Sequence, residues 1–375
     1  MKKQEKELFK KLCSYKSNEL DEGLLEYAVP SVLGQLFFNR MQAIAYYRLK
    51  KHDMLGKVNR EFRNSLEAAY EQNVSKNKSF FWCIQYLTEA LSECSCKYAM
   101  LKGAFLCGYY PTGLRTSNDI DLLVLPEDVT KIGEALMKNG FAQGHIRSGE
   151  FVPAARKEII ESKMTRGEAV PYIKEINLPG MRYLEVDINF SLDYKNNKPD
   201  VIQKILDRAE VRNISGISVQ TLESADFFIH LCGHLYKEAT TLPWIEMKRD
   251  MTLYKYCDIY TLLSEMTECE TDRLFERADE LGMKKICAFA ILQTSELFET
   301  SCDYAVLKSE NALGNDLDFL NRIISPKDKK EYVYTENDVF KRLFSENRRS
   351  LFKEVIEPVY EFTGGEGDDF NDAKA

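Results

Sequence analysis

The chain has 375 residues, enough to bury one large or two modest cores. Hydrophobic residues make up 44% and charged residues 29%, as in ordinary globular proteins. With 51 Lys and Arg against 59 Asp and Glu the net charge is −8, which argues against a generic nucleic-acid coat while leaving room for a local basic cleft.

The N-terminal stretch MKKQEKELFKKL lacks the apolar core of a secretory leader, and no run reaches the roughly 18 apolar residues of a membrane span. Ten cysteines lie mostly inside apolar helical patterns, where a free thiol behaves as a small hydrophobe. Cys94 and Cys96 form the only close pair, and no second pair completes a zinc framework. A cytoplasmic protein with reduced thiols is expected.

Residues 5–50 and 57–95 read as helical. Leu24, Leu25, Tyr27, Ala28, Leu33, Leu36 and Phe37 recur at helical spacing, and Pro30 opens a new helix. Phe62, Leu66, Ala69, Tyr70, Val74, Phe81, Ile84, Leu87 and Leu91 continue an amphipathic pattern. From residue 97 the character changes. Tyr98–Leu101 is a short apolar strand ending at a glycine, Gly103 starts a helix to Tyr110, and Pro111-Thr112-Gly113 is a turn. Asp119–Leu125 reads as a strand, and 127–139 as a helix capped by Asn139-Gly140. Asn177-Leu178-Pro179-Gly180 joins Tyr172–Ile176 and Tyr183–Phe190 as a hairpin. Residues 199–210 look helical, 215–219 form a short strand, and Thr221 to about 300 is helical again. The Gly- and Asp-rich stretch 364–369 reads as a disordered acidic tail.

The chemistry concentrates between 101 and 124. Asp119 and Asp121 stand two apart in an apolar, β-prone run, so strand alternation puts both on one face. Two such acids repel and resist burial unless a cation compensates. Mg2+, held by one or two carboxylates plus substrate phosphates, is the usual solution, with Mn2+ able to replace it. Lys102-Gly103 sits at a turn where a backbone without a side chain can approach a phosphate. Asp187, between Val186 and Ile188, is an expensive place for an unpaired charge and the best third acid; Glu185 has the same parity. On this reading, Asp121→Asn leaves the metal-free fold as stable or slightly more so. Arg115 suits a fork contact with a phosphate or a structural pair with a carboxylate, and Ser117 precedes the same strand. His230 and His234 share a helical face without the glutamate of a metalloprotease motif, and read as histidines packed in or lining the cleft. Lys255 and Asp258 read as an intrahelical pair.

The run LKGAFLCGYYPTGLRTSNDIDLLV resembles the signature of DNA polymerase β-type nucleotidyltransferases, and most closely that of the uncharacterised nucleotidyltransferase family of bacteria. Val29–Leu33, Val186–Ile188 and Ile229–His234 extend the resemblance over roughly residues 20–300. It implies an α/β (α+β) architecture: a polymerase β-like core with a small mixed sheet at 97–220, an N-terminal helical region at 1–96, a C-terminal one at 221–355, and the tail at 356–375. It implies transfer of an NMP from an NTP, ATP foremost, to an acceptor hydroxyl or phosphate on a small molecule, a protein side chain or a tRNA. In that scheme Asp119, Asp121 and Asp187 are the catalytic metal ligands. Lys102, Gly103, Ala104, Arg115, Ser117 and, from the helix the family packs beside its cleft, Lys255 bind the nucleotide. Where the superfamily usually has Ser or Gly, this chain has Ala104, so a hydroxyl donor is missing there. The alternatives are a degenerate nucleotide-binding module and a toxin-like tRNA nucleotidyltransferase.

Overall fold

The computed structural model describes residues 1–165, 169–192, 199–300 and 302–356. The architecture is mixed α+β. Helices α1 (Lys3–Cys13), α2 (Pro30–Phe38), α3 (Gln42–Lys51) and the long α4 (Arg60–Ala90) open the chain. The expected helical stretch 5–50 is therefore broken. Asp21 caps a 3-10 turn over Glu22–Tyr27, and Pro30 starts α2 at its first turn, where a missing N–H costs nothing.

There follow β1 (Tyr98–Met100), α5 (Gly103–Tyr109), β2 (Asp119–Val124), α6 (Val129–Lys138), β3 (Ala142–Arg147), β4 (Glu150–Pro153), α7 (Arg156–Thr165), β5 (Tyr172–Leu178), β6 (Met181–Asn189), α8 (Pro199–Leu206), β7 (Glu210–Ile214) and β8 (Ile217–Thr221). The eight strands form one mixed sheet in the order β4-β3-β5-β6-β2-β1-β8-β7. The expected strand over 215–219 is in fact a hairpin: Ser215-Gly216 is its turn, with both residues at positive φ, and β7 precedes it. The stretch 364–369 lies outside the described residues.

After β8 come α9 (Ser224–Thr240), α10 (Leu242–Glu246), α11 (Leu253–Leu263), α12 (Glu268–Glu280), α13 (Lys284–Leu297) and α14 (Asp303–Leu313). The C-terminal region is not wholly helical. β9 (Arg322–Ser325) and β10 (Lys330–Tyr334) form a hairpin, α15 (Val339–Leu343) follows, and β11 (Phe352–Glu354) pairs with β10. This small sheet buries Ile323, Tyr332, Tyr334 and Phe352 with Leu242 and Ile245 of α10. Strands of four and five residues around a Pro326 turn carry too little alternation to be read from sequence.

The chain divides into two compact units, one of Met1–Ala69 with Phe228–Ala375, the other of Tyr70–Phe227. The second contains the whole eight-stranded sheet. One face of its central pair is apolar: Ile120, Leu122, Val124, Leu184, Val186 and Ile188 are all fully buried. Each such side chain contributes about 1.5–3 kcal/mol. That burial locks the register, because a slip of one residue would turn this row outward. All ten cysteines are free thiols.

Candidate active site

β2 and β6 run parallel with Asp119 opposite Glu185, Asp121 opposite Asp187, and Leu123 opposite Asn189. Because register partners in adjacent strands point the same way, the four carboxylates share one face of the sheet. The apolar row on the other face fixes this arrangement. Asp121 is buried at 7% exposure. Asn189 is equally buried, and among the described residues its Nδ2 has no hydrogen-bond partner.

Lys102 follows β1 and caps α5. The Leu101 N–H donates to the Asp121 carbonyl at 2.9 Å, which holds the end of β1 beside the acid. The Lys102 ammonium then reaches Asp121 Oδ1 at 3.0 Å. Its backbone sits at φ 44° and ψ −114°, a region that favours glycine. Holding a side chain there costs on the order of 1–3 kcal/mol.

Gly103 is needed for a reason other than backbone freedom. It is a regular helical residue, but a Cβ on it would lie 2.5 Å from Ser117 Oγ and 2.6 Å from Ser117 Cβ. Ser117 occupies the space beside the Gly103 Cα, and its hydroxyl donates to Asp119 Oδ1 at 2.8 Å. Burial pushes the Asp119 carboxyl up, but the Ser117 hydroxyl and the charges of Lys102 and Arg115 outweigh it and hold the group below its usual value. The Ala104 N–H donates to the Leu101 carbonyl at 3.2 Å, closing the first turn of α5.

The loop carrying Arg115 and Ser117 is pinned by α4, through polar residues that its apolar pattern does not single out. Asn77 Nδ2 donates to the Arg115 carbonyl at 2.8 Å, and Asn77 Oδ1 accepts from the Gly113 N–H at 2.7 Å. Asn73 Nδ2 donates to the Gly113 carbonyl at 3.0 Å, and Lys76 donates to Asn118. Asn73, Lys76 and Asn77 stand at i, i+3 and i+4, one helical face, and that polar triplet was the available signal. Gly113 holds φ +87°, and a Cβ there would meet Val74 at 2.7 Å.

Lys102, Gly103, Ala104, Arg115, Ser117, Asp119, Asp121 and Asp187 thus all lie in the sheet-bearing unit. Lys255 lies in the other unit, on α11, where its ammonium bonds Glu238 of α9. Glu238 also stands 3.3 Å from His234 Nε2. The partner seen for Lys255 is Glu238, a residue on another helix that no local spacing could identify. His230 is buried.

The carboxylate donors are hard oxygens that suit Mg2+ or Mn2+. In their present orientations no group of three or more His, Cys, Asp or Glu side chains is gathered for a metal among the described residues. Asp119 and Asp121 are instead turned to Ser117 and Lys102.

The model of the family described as "Uncharacterised nucleotidyltransferase" matches residues 29–299. No curated protein matches the sequence. Among solved structures, an antigenic nucleotidyltransferase-like protein from Paracoccidioides brasiliensis aligns over 56% of this chain and 91% of its own, at 13% identity and a TM-score of 0.32.

Proposed function

The chain belongs to the uncharacterised nucleotidyltransferase family, and on that premise we propose that it moves an NMP from an NTP, ATP foremost, to an acceptor hydroxyl or phosphate with release of pyrophosphate. The observation that carries this reading is the register placing Asp121 beside Asp187 on the face that also bears Asp119. Three carboxylates converging on one phosphoryl group are what a metal-assisted in-line displacement requires. Asp119, Asp121 and Asp187 would hold Mg2+ or Mn2+, which when bound supplies charge neutralisation at the transferring phosphate.

The remaining work falls to this chain's own groups. Ser117 orients Asp119 through its hydroxyl. Asp187 accepts the proton of the attacking hydroxyl. Lys102 and Arg115 supply positive charge for the triphosphate. Glu185 is the reserve third ligand, adjacent to Asp119 in register. The acceptor is a small molecule, a protein side chain or a tRNA end.

Melting with Mg2+ and a nonhydrolysable NTP tests the binding half of this proposal. At about a hundredfold excess over Kd the pair should stabilise the protein by roughly 2.7 kcal/mol, more than either component alone. No shift with any of the four NTPs at millimolar level counts against the assignment.

A further inference from the structure

Asp121 already has a cation. The Lys102 ammonium stands 3.0 Å from its Oδ1, and both side chains are largely shielded, at 18% and 10% exposure. The protein maintains this contact at a backbone conformation, φ 44° and ψ −114°, that a lysine rarely adopts. Strain of that kind persists only where the surroundings over-determine it; here the hydrogen bond from Leu101 to Asp121 and the start of α5 bracket the residue on both sides.

A carboxylate oxygen that accepts from an ammonium cannot at the same time be an unshielded metal ligand, because two cations on one oxygen repel. A hydroxyl such as Ser117, by contrast, turns away from Asp119 by simple rotation. Lys102 is therefore a competitor that a metal meets at Asp121. Its flexible four-carbon stem lets the ammonium leave without moving the backbone.

We infer that Lys102 is a built-in counter-cation that a divalent metal displaces from Asp121, and that the released ammonium then binds the triphosphate, so that one side chain couples metal and nucleotide binding. This rests on the reading of Asp121 as a metal ligand. In the metal-free protein Lys102 offsets the acid charge. With metal bound it becomes the charge that receives the anionic nucleotide. Metal and triphosphate accordingly bind with positive cooperativity that passes through Lys102.

The test is direct binding. Mn2+ alone is titrated into the parent protein, Lys102→Met and Lys102→Gly, followed by a nonhydrolysable ATP analogue at saturating Mg2+. Both variants should bind Mn2+ alone at least fivefold more tightly than the parent and the analogue at least tenfold more weakly. Lys102→Gly keeps the experiment decisive if Lys102→Met fails to fold, because glycine takes the positive φ without strain. If the parent binds metal and analogue while both variants bind Mn2+ with unchanged or weaker affinity, the inference is overturned and the nucleotidyltransferase reading survives. If the parent binds neither, both fall together.

Discussion

The crowding of Ser117 over Gly103 gives a prediction whose sign differs from the one helix propensity alone would give. Gly103 occupies the first turn of α5 in ordinary helical geometry. Replacing glycine by alanine at such a position should stabilise a helix by up to about 1 kcal/mol. Here the added methyl would lie 2.6 Å from Ser117 Cβ, an atom fixed to its backbone and not the end of a flexible chain. Overpacking of this kind costs about 1–3 kcal/mol. The net expectation for Gly103→Ala is a loss of about 1–2 kcal/mol, read as a shift in urea midpoint at constant slope. Ser117→Gly removes the obstructing atoms. It also loses the hydrogen bond to Asp119, worth about 1.5–3 kcal/mol to a charged acceptor. In the Ser117→Gly background, Gly103→Ala should become neutral or favourable, so the double-mutant cycle carries about 1–3 kcal/mol of coupling. Equal effects of Gly103→Ala in both backgrounds would refute the packing argument.

Asp121→Asn is expected to lower metal-free stability by about 1–2 kcal/mol, because it weakens a charge-assisted bond to Lys102; this reverses the expectation from acid repulsion alone, and an unchanged or raised denaturation midpoint would restore that expectation. Asn189→Val should be neutral or stabilising by about 1 kcal/mol in the ligand-free protein, since a buried donor with no partner among the described residues is removed; clear destabilisation in a melt would contradict it. His145 Nε2 lies 2.6 Å from Glu158, and this hydrogen bond, against opposing burial, holds the Glu158 carboxyl below its ordinary value of 4.5. A depressed carboxyl contributes stability that is present above the unfolded value and lost as pH falls through the folded one. The stability gap between the parent and Glu158→Gln should therefore shrink as pH drops below about 4.5, and a gap that stays constant there would exclude the pair as its cause.

How far the sequence reached depends on which physical signal each element carries. Asp119 and Asp121 are two apart on one strand and Glu185 and Asp187 two apart on another, so that each pair shares a face of its strand follows from the chain alone. That β6 lies beside β2 in parallel is a non-local fact that alternation does not encode. Glycines mark turns and close approaches alike, so the chain alone does not show that Ser117 packs against Gly103. The strain falls one residue earlier, on Lys102, a residue type that carries no conformational signal. The partners of the site loop, Asn73, Lys76 and Asn77, lie more than 30 residues upstream in a helix whose apolar pattern masks them. The short strands β3, β4 and β7 are partly exposed, with too few buried positions to show a period.

The central claim is nucleotidyl transfer at the face formed by β2 and β6. The most direct measurement supplies each of the four NTPs, labelled at the α-phosphate, with Mg2+ to the parent and to Asp121→Asn in a lysate of small molecules, protein and tRNA. The account predicts that label passes to one acceptor fraction with stoichiometric pyrophosphate. Asp121→Asn should lower the rate by roughly a hundredfold or more, about 2.7 kcal/mol of barrier. Label that stays in the nucleotide pool with every NTP, or transfer that Asp121→Asn leaves at the parent rate, would contradict it.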